Sequence, residues 1–118
     1  MTRRFIPKPM RPNKMRKKWQ ELQKFCANKD TWNKAVLEAD KLLDKALKKK
    51  RMKGKSLGER LATAQDIMSD NDEIWFAHNL AKKIIENPEF KLKKREVKDA
   101  LLAFGQALKD LGALRNGK

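Results

Sequence analysis

One cysteine among 118 residues excludes an intramolecular disulfide and a zinc knuckle built from several thiolates, and points to a reducing compartment, taken here as the cytoplasm. No apolar run approaches the length of a membrane helix, and no secretory or lipidation pattern is read in the chain, so no membrane partner is expected. Runs that alternate apolar and polar residues are missing, which argues against strands. The single histidine, His78, has no cysteine or carboxylate at ligand spacing, so neither a metal nor a cofactor is expected. Acidic residues are absent before Glu21.

What is present is positive charge. Thirty Lys and Arg stand against fifteen Asp and Glu, a net charge of +15, which is more than solubility requires and implies a polyanionic partner. Nucleic acid fits best, because cations that neutralise phosphates release condensed counterions. An anionic membrane surface is the weaker rival.

The length suits one domain with a modest core. Three of the four prolines fall at positions 7, 9 and 12, where they fix φ and remove amide donors. Residues 1–13 therefore read as an extended basic arm, 14–114 as a helical body and 115–118 as a tail. Arg3, Arg4, Lys8, Arg11, Lys14, Arg16, Lys17 and Lys18 crowd this first stretch. Phe5, Ile6, Met10 and Met15 are interleaved with them, as expected of a segment lying on folded RNA rather than of a solubilising tail.

From Asn13 onward the apolar residues recur at helical spacing. Met15, Trp19, Leu22 and Cys26 predict a first helix ending near Asn28, with Cys26 as a small buried hydrophobe rather than a reactive thiol. Asp30 or Thr31 is expected to cap a second helix, whose broad stripe from Trp32 to Leu47 marks it as central. It runs into the basic loop "KKKRMKGK". Ser56 and Glu59 have capping-box spacing for a third helix carrying Leu57, Leu61, Ala64, Ile67 and Met68. "SDND" starts a fourth with Ile74, Trp75, Ala77, His78, Ala81, Ile84 and Ile85, stopped by Asn87-Pro88. A short extended piece, "EFKL", precedes a fifth helix with Val97, Ala100, Leu101, Phe104, Leu108 and Leu111, closed by Gly112. The expected fold is all-α, a single antiparallel bundle of about five helices. His78 is expected to pack beside Trp75, and Trp19, Trp32 and Trp75 to belong to the core.

The segments "WNKAVLEADKLLDKAL", "GKSLGERL", "IWFAHNLAKKIIENPEF" and "ALLAFGQALKDLGAL" together resemble a bacterial member of the HEPN superfamily of all-α nucleotide-binding and ribonuclease-like domains. Ala77, His78, Ile84 and Phe90 match the frame of the family's motif-bearing helix. The resemblance places the family's catalytic arginine on Ala81, its asparagine on Lys82, its catalytic histidine on Glu86 and the following glutamate on Asn87. Metal-independent RNA cleavage needs a group that moves a proton and a cation facing the phosphoryl oxygens. Ala81 supplies no cation, and the carboxylate of Glu86 repels phosphate, so no enzyme activity is expected.

The function expected is that of a noncatalytic RNA-binding structural protein, ribosomal or ribosome-associated, with ribosomal RNA and neighbouring ribosomal proteins as partners. The arm cations would hold phosphates. Lys48, Lys49, Lys50, Arg51, Lys53 and Lys55 form a second cluster, and Lys91, Lys93, Lys94 and Arg95 a third. The alternative is a catalytically dead HEPN-type partner in a toxin–antitoxin or nucleotide-sensing system, which requires an exposed apolar patch near Ala77, Ala81 and Ile85.

Overall fold

The computed structural model describes residues 12–114, with side chains from Lys14 onward. These residues form an all-α bundle of five helices and contain no strand. Helix α1 spans Pro12–Gln23. Its first residue is the one position in a helix where proline's fixed φ and missing N–H cost nothing. Met15 and Leu22 are buried and Trp19 half-buried, one stripe at helical spacing.

The helix does not continue to Asn28 as its apolar period suggests. It tightens into 3-10 turns at Lys24–Ala27 and Lys29–Thr31, separated by Asn28 in an extended conformation. Side chains take over the carbonyls a longer helix would have used. The Thr31 hydroxyl donates to the Phe25 carbonyl (2.6 Å) and the Trp32 indole N–H to that of Cys26 (2.9 Å). Thr31 precedes α2 but spends its hydroxyl backwards, so neither it nor Asp30 provides the expected side-chain cap.

Helix α2, Trp32–Lys49, buries Ala35, Val36, Ala39, Asp40, Leu42, Leu43, Ala46 and Leu47. It packs against α1, α3, α4 and α5, so it is the central element its wide stripe predicts. Its C-terminus closes with two reversed hydrogen bonds, Met52 N–H to the Leu47 carbonyl and Arg51 N–H to that of Lys48. This Schellman arrangement places Arg51 at φ 62°, a left-handed conformation that glycine adopts without penalty and an L side chain resists. Arg51→Gly is therefore expected to raise the unfolding free energy by about 0.5–1 kcal/mol in a urea titration, glycine's extra unfolded-state entropy offsetting part of the relieved strain.

Helix α3, Leu57–Thr63, starts at Ser56, whose hydroxyl accepts from the Glu59 N–H (3.2 Å). The Glu59 carboxylate reaches one residue further back than a capping box requires, to the Lys55 N–H (2.8 Å). The helix also stops earlier than its apolar pattern suggests. A 3-10 turn at Gln65–Ile67 leaves Ile67 43% exposed while Met68 returns to the core.

Helix α4, Asn71–Glu86, is capped by Asp70 and ends at Asn87, extended before Pro88. Leu80 joins Ile74, Ala77, Ala81 and Ile84 on its buried face, whereas Ile85, expected there, is 64% exposed. Helix α5, Lys94–Asp110, buries every apolar residue the sequence assigned to it and ends in a second Schellman pair with Gly112 at φ 79°. Gly105 lies mid-helix for a different reason, since a Cβ there would sit 3.0 Å from the Trp19 ring.

Two long-range ties fix the helix directions. The Asn33 amide donates to the carbonyls of Pro88 and Phe90, holding the α4–α5 turn at the start of α2. Ser69 binds Asp110 through both its N–H and its hydroxyl, holding the start of α4 against the end of α5. Phe104, Leu43, Leu47, Leu61, Ile74 and Leu80 fill the centre.

Candidate nucleic-acid interface

Helices α1 and α2 join through tight turns and pack side by side, so the basic start of α1 lies against the basic end of α2. Lys14 and Lys18 meet Lys45 and Lys49 there. The positive charge of Lys18, followed by burial and by Lys14 and Lys49, holds the Lys45 ammonium below its ordinary value. Among the described residues no carboxylate lies within salt-bridge distance of these four lysines. Neighbouring cations without intervening carboxylates raise the local potential, which is what phosphate oxygens respond to. Lys17 is exposed and Arg16 half-buried on the same helix.

A groove of ≈ 600 Å³ between the two helices continues this face, with Lys18, Lys34, Lys41 and Lys45 among its walls. The Lys34 ammonium sits 4.6 Å from the centre of the Phe25 ring. Glu21 and Glu38 also line the groove, and Glu38 pairs with Lys41 at 3.6 Å.

The backbone of the loop after α2 is held by side chains of α3. Arg60, nearly buried, grips Asp44 with two hydrogen bonds (2.7 and 3.1 Å) and donates a third to the Gly54 carbonyl (2.7 Å). The Thr63 hydroxyl donates to the Lys53 carbonyl (2.7 Å). Gly54 is required, because a Cβ would come within 2.6 Å of the Arg60 nitrogen at φ 153°. With the backbone fixed, Lys49, Lys50, Arg51, Lys53 and Lys55 are all exposed, while Lys48 leans on Asp44 at 3.5 Å. Such a loop loses little conformational entropy when it meets a ligand.

The three expected clusters do not form one surface. Lys14 and Lys18 of the first meet Lys49 and the start of the second at the C-terminal end of α2. The third, Lys91, Lys93, Lys94 and Arg95, lies by Asn33 at the other end of that helix, about 24 Å away at 1.5 Å per residue. Arg95 there pairs with Asp99 at 3.7 Å. Arg3, Arg4, Lys8 and Arg11 lie outside the described residues. Lys45 and Lys34 were not among the expected contacts. For Lys45 the signal was available, because Lys41, Lys45 and Lys49 recur every four residues opposite the apolar stripe of α2.

His78 does have a carboxylate partner, contributed from a distant segment. Its Nδ1 lies 3.0 Å from Oδ1 of Asp40 on α2, and both side chains are buried. Burial pushes the Asp40 carboxyl above its ordinary value, the hydrogen bond and charge of His78 oppose that, and Asp44 adds to it. The Trp75 ring stands edge-on to the imidazole at 5.9 Å, as its expected packing requires. Cys26 is half-buried and burial raises its thiol, which suits packing rather than reactivity.

On α4, Ala81 is 0% exposed, sealed in the core, while Lys82, Glu86 and Asn87 face outward. Ala77 is also 0% exposed. Of the apolar patch expected near Ala77, Ala81 and Ile85, only Ile85 is on the surface. Among the described residues no three His, Cys, Asp or Glu side chains form a metal-binding group, and no helix is long and apolar enough to cross a membrane. No protein-family model, curated protein or solved structure matches the chain.

Proposed function

We propose that the protein is a noncatalytic RNA-binding structural protein, ribosomal or ribosome-associated, that holds RNA phosphates on the face formed by α1, the end of α2 and the locked basic loop. The observation that carries this reading is the convergence of Lys14, Lys18, Lys45 and Lys49 next to that loop. Holding like charges together costs stability in the free protein, and a phosphate backbone relieves that cost on binding. Residues 1–11 precede α1 in the sequence and carry four further cations. The body is read as a HEPN-type domain without its nuclease residues: Ala81, at the arginine position, is sealed and supplies no cation, and Glu86, at the histidine position, faces outward beside Lys82 and Lys83. The regulatory-partner alternative has less support, because Ala77 and Ala81 are sealed and only Ile85 of the three residues it names is exposed.

The expected result in a lysate sedimented through sucrose gradients is stoichiometric co-migration with one ribosomal subunit, retained at moderately raised salt. Protein that remains at the top of the gradient even at low salt would remove the ribosomal reading.

A further inference from the structure

A second surface lies on the opposite side of α1. Trp19 and Cys26 from the first segment, Trp32 from the start of α2, and Val97, Leu101 and Leu102 from α5 line a groove of ≈ 520 Å³. Leu102 is 64% exposed at its edge. The charged residues around it are Lys94, Lys98 and Lys109, all from α5, and no acidic side chain lines it. We infer that this groove docks an acidic amphipathic helix of a protein partner, on a surface separate from the phosphate-binding face.

Three features select that occupant. The first is the floor. Both indoles are committed to their own chain, Trp19 against Gly105 and Trp32 by its hydrogen bond to the Cys26 carbonyl. Val97 and Leu101 are buried beneath the groove, and the aliphatic side chain left exposed, Leu102, suits leucine or isoleucine side chains better than stacked bases. The second is the rim, where three lysines and no carboxylate call for negative charge flanking the apolar stripe. This argues against the chain's own ends, since residues 1–11 and 115–118 contain cations and no acid, and against a second copy carrying +15. The third is length. Lys94 to Lys109 covers about 22 Å of helix α5, which matches a partner helix of about 15 residues.

The test uses the full chain and a synthetic helical peptide of about 15 residues, with leucines at i, i+3, i+4 and i+7 spacing and glutamates on its flanks. A scrambled peptide of the same composition and a 15-nucleotide oligouridine serve as competitors. Binding is followed by tryptophan fluorescence and by amide shifts along α1 and α5. The amphipathic peptide is expected to bind about tenfold more tightly than the scramble, and Leu102→Glu and Lys98→Glu each to weaken it by about tenfold. Both altered residues are exposed, so the fold should survive, and circular dichroism checks that it does. Equal binding of the scramble reduces the groove to bulk charge and overturns the proposal. So does oligouridine that displaces the peptide and is itself weakened by Leu102→Glu, which makes the groove an RNA site. A chain that dimerises without peptide, and loses that dimer in Leu102→Glu, assigns the groove to a second copy instead.

Discussion

Replacing Lys14, Lys18, Lys45 and Lys49 together by glutamine will weaken RNA binding by about a hundredfold near physiological salt and lower the slope of log K against log salt by about 3. The second number follows from four lost phosphate contacts at about 0.7–0.9 counterions each. Only a clustered site produces both effects. The control is the third cluster, Lys91, Lys93, Lys94 and Arg95, changed to glutamine in the same way. It removes the same charge and leaves the same net charge, but from the far end of α2. The expected loss there is several-fold smaller, because long-range attraction is equal in the two variants and only the contact term differs. Equal losses would mean that RNA responds to total charge rather than to this face. The α1/α2 variant should also unfold at slightly higher urea, since the repulsion that lowers the Lys45 ammonium is gone.

The second large effect is on stability. His78→Ala leaves Asp40 buried without its partner and opens a space beside Trp75 and Gly58, and the expected loss is about 3–5 kcal/mol by urea unfolding. The loss should depend on pH with a defined sign. Asp40 has its folded value raised above the unfolded one, burial being the largest cause. The folded state then holds the Asp40 proton more tightly than the unfolded state, so stability falls as pH rises from the ordinary carboxyl range through the raised value. Without His78 the two influences that lower Asp40 disappear, the window widens upward, and the variant's deficit grows across it. Asp40→Asn removes the ionisation while keeping a polar side chain near the imidazole. Its stability relative to the wild type should therefore climb through the same window. A flat difference between Asp40→Asn and wild type from acid to neutral pH would show that Asp40 does not titrate in the core.

How much of this was legible in the sequence follows the range of the signal. Elements with local signatures were readable: the α2 stripe, Ser56 and the stretch "SDND" as helix starts, the stop before Pro88, and Gly112 beyond α5. All five helices and the all-α class came from such patterns. The early end of α1 was not readable from apolar spacing, because Thr31 and Trp32 capture the carbonyls of Phe25 and Cys26 from outside the repeat. Ile67 and Ile85 have the right composition for a core stripe but fall off it by a fraction of a turn, which short windows do not resolve. The Asp40–His78 pair joins residues 38 positions apart, so it becomes visible only once α2 and α4 are placed side by side. For the interface, the arm-proximal lysines and the basic loop were evident as charge runs, and their meeting at one end of α2 follows from α1 doubling back. Lys45 needed that packing, and the same packing separates the third cluster from the other two.

Helix α1 packs on the body through Met15, Trp19 and Leu22, and it forms one wall of both grooves. The two surfaces are consequently linked in the thermodynamic sense. A ligand that restrains α1 on one side removes part of the ordering cost for a ligand on the other, and the coupling free energy is the same whichever binds first. An acidic helix seated along α5 would tighten the grip on phosphates by the factor that phosphates tighten the grip on the helix.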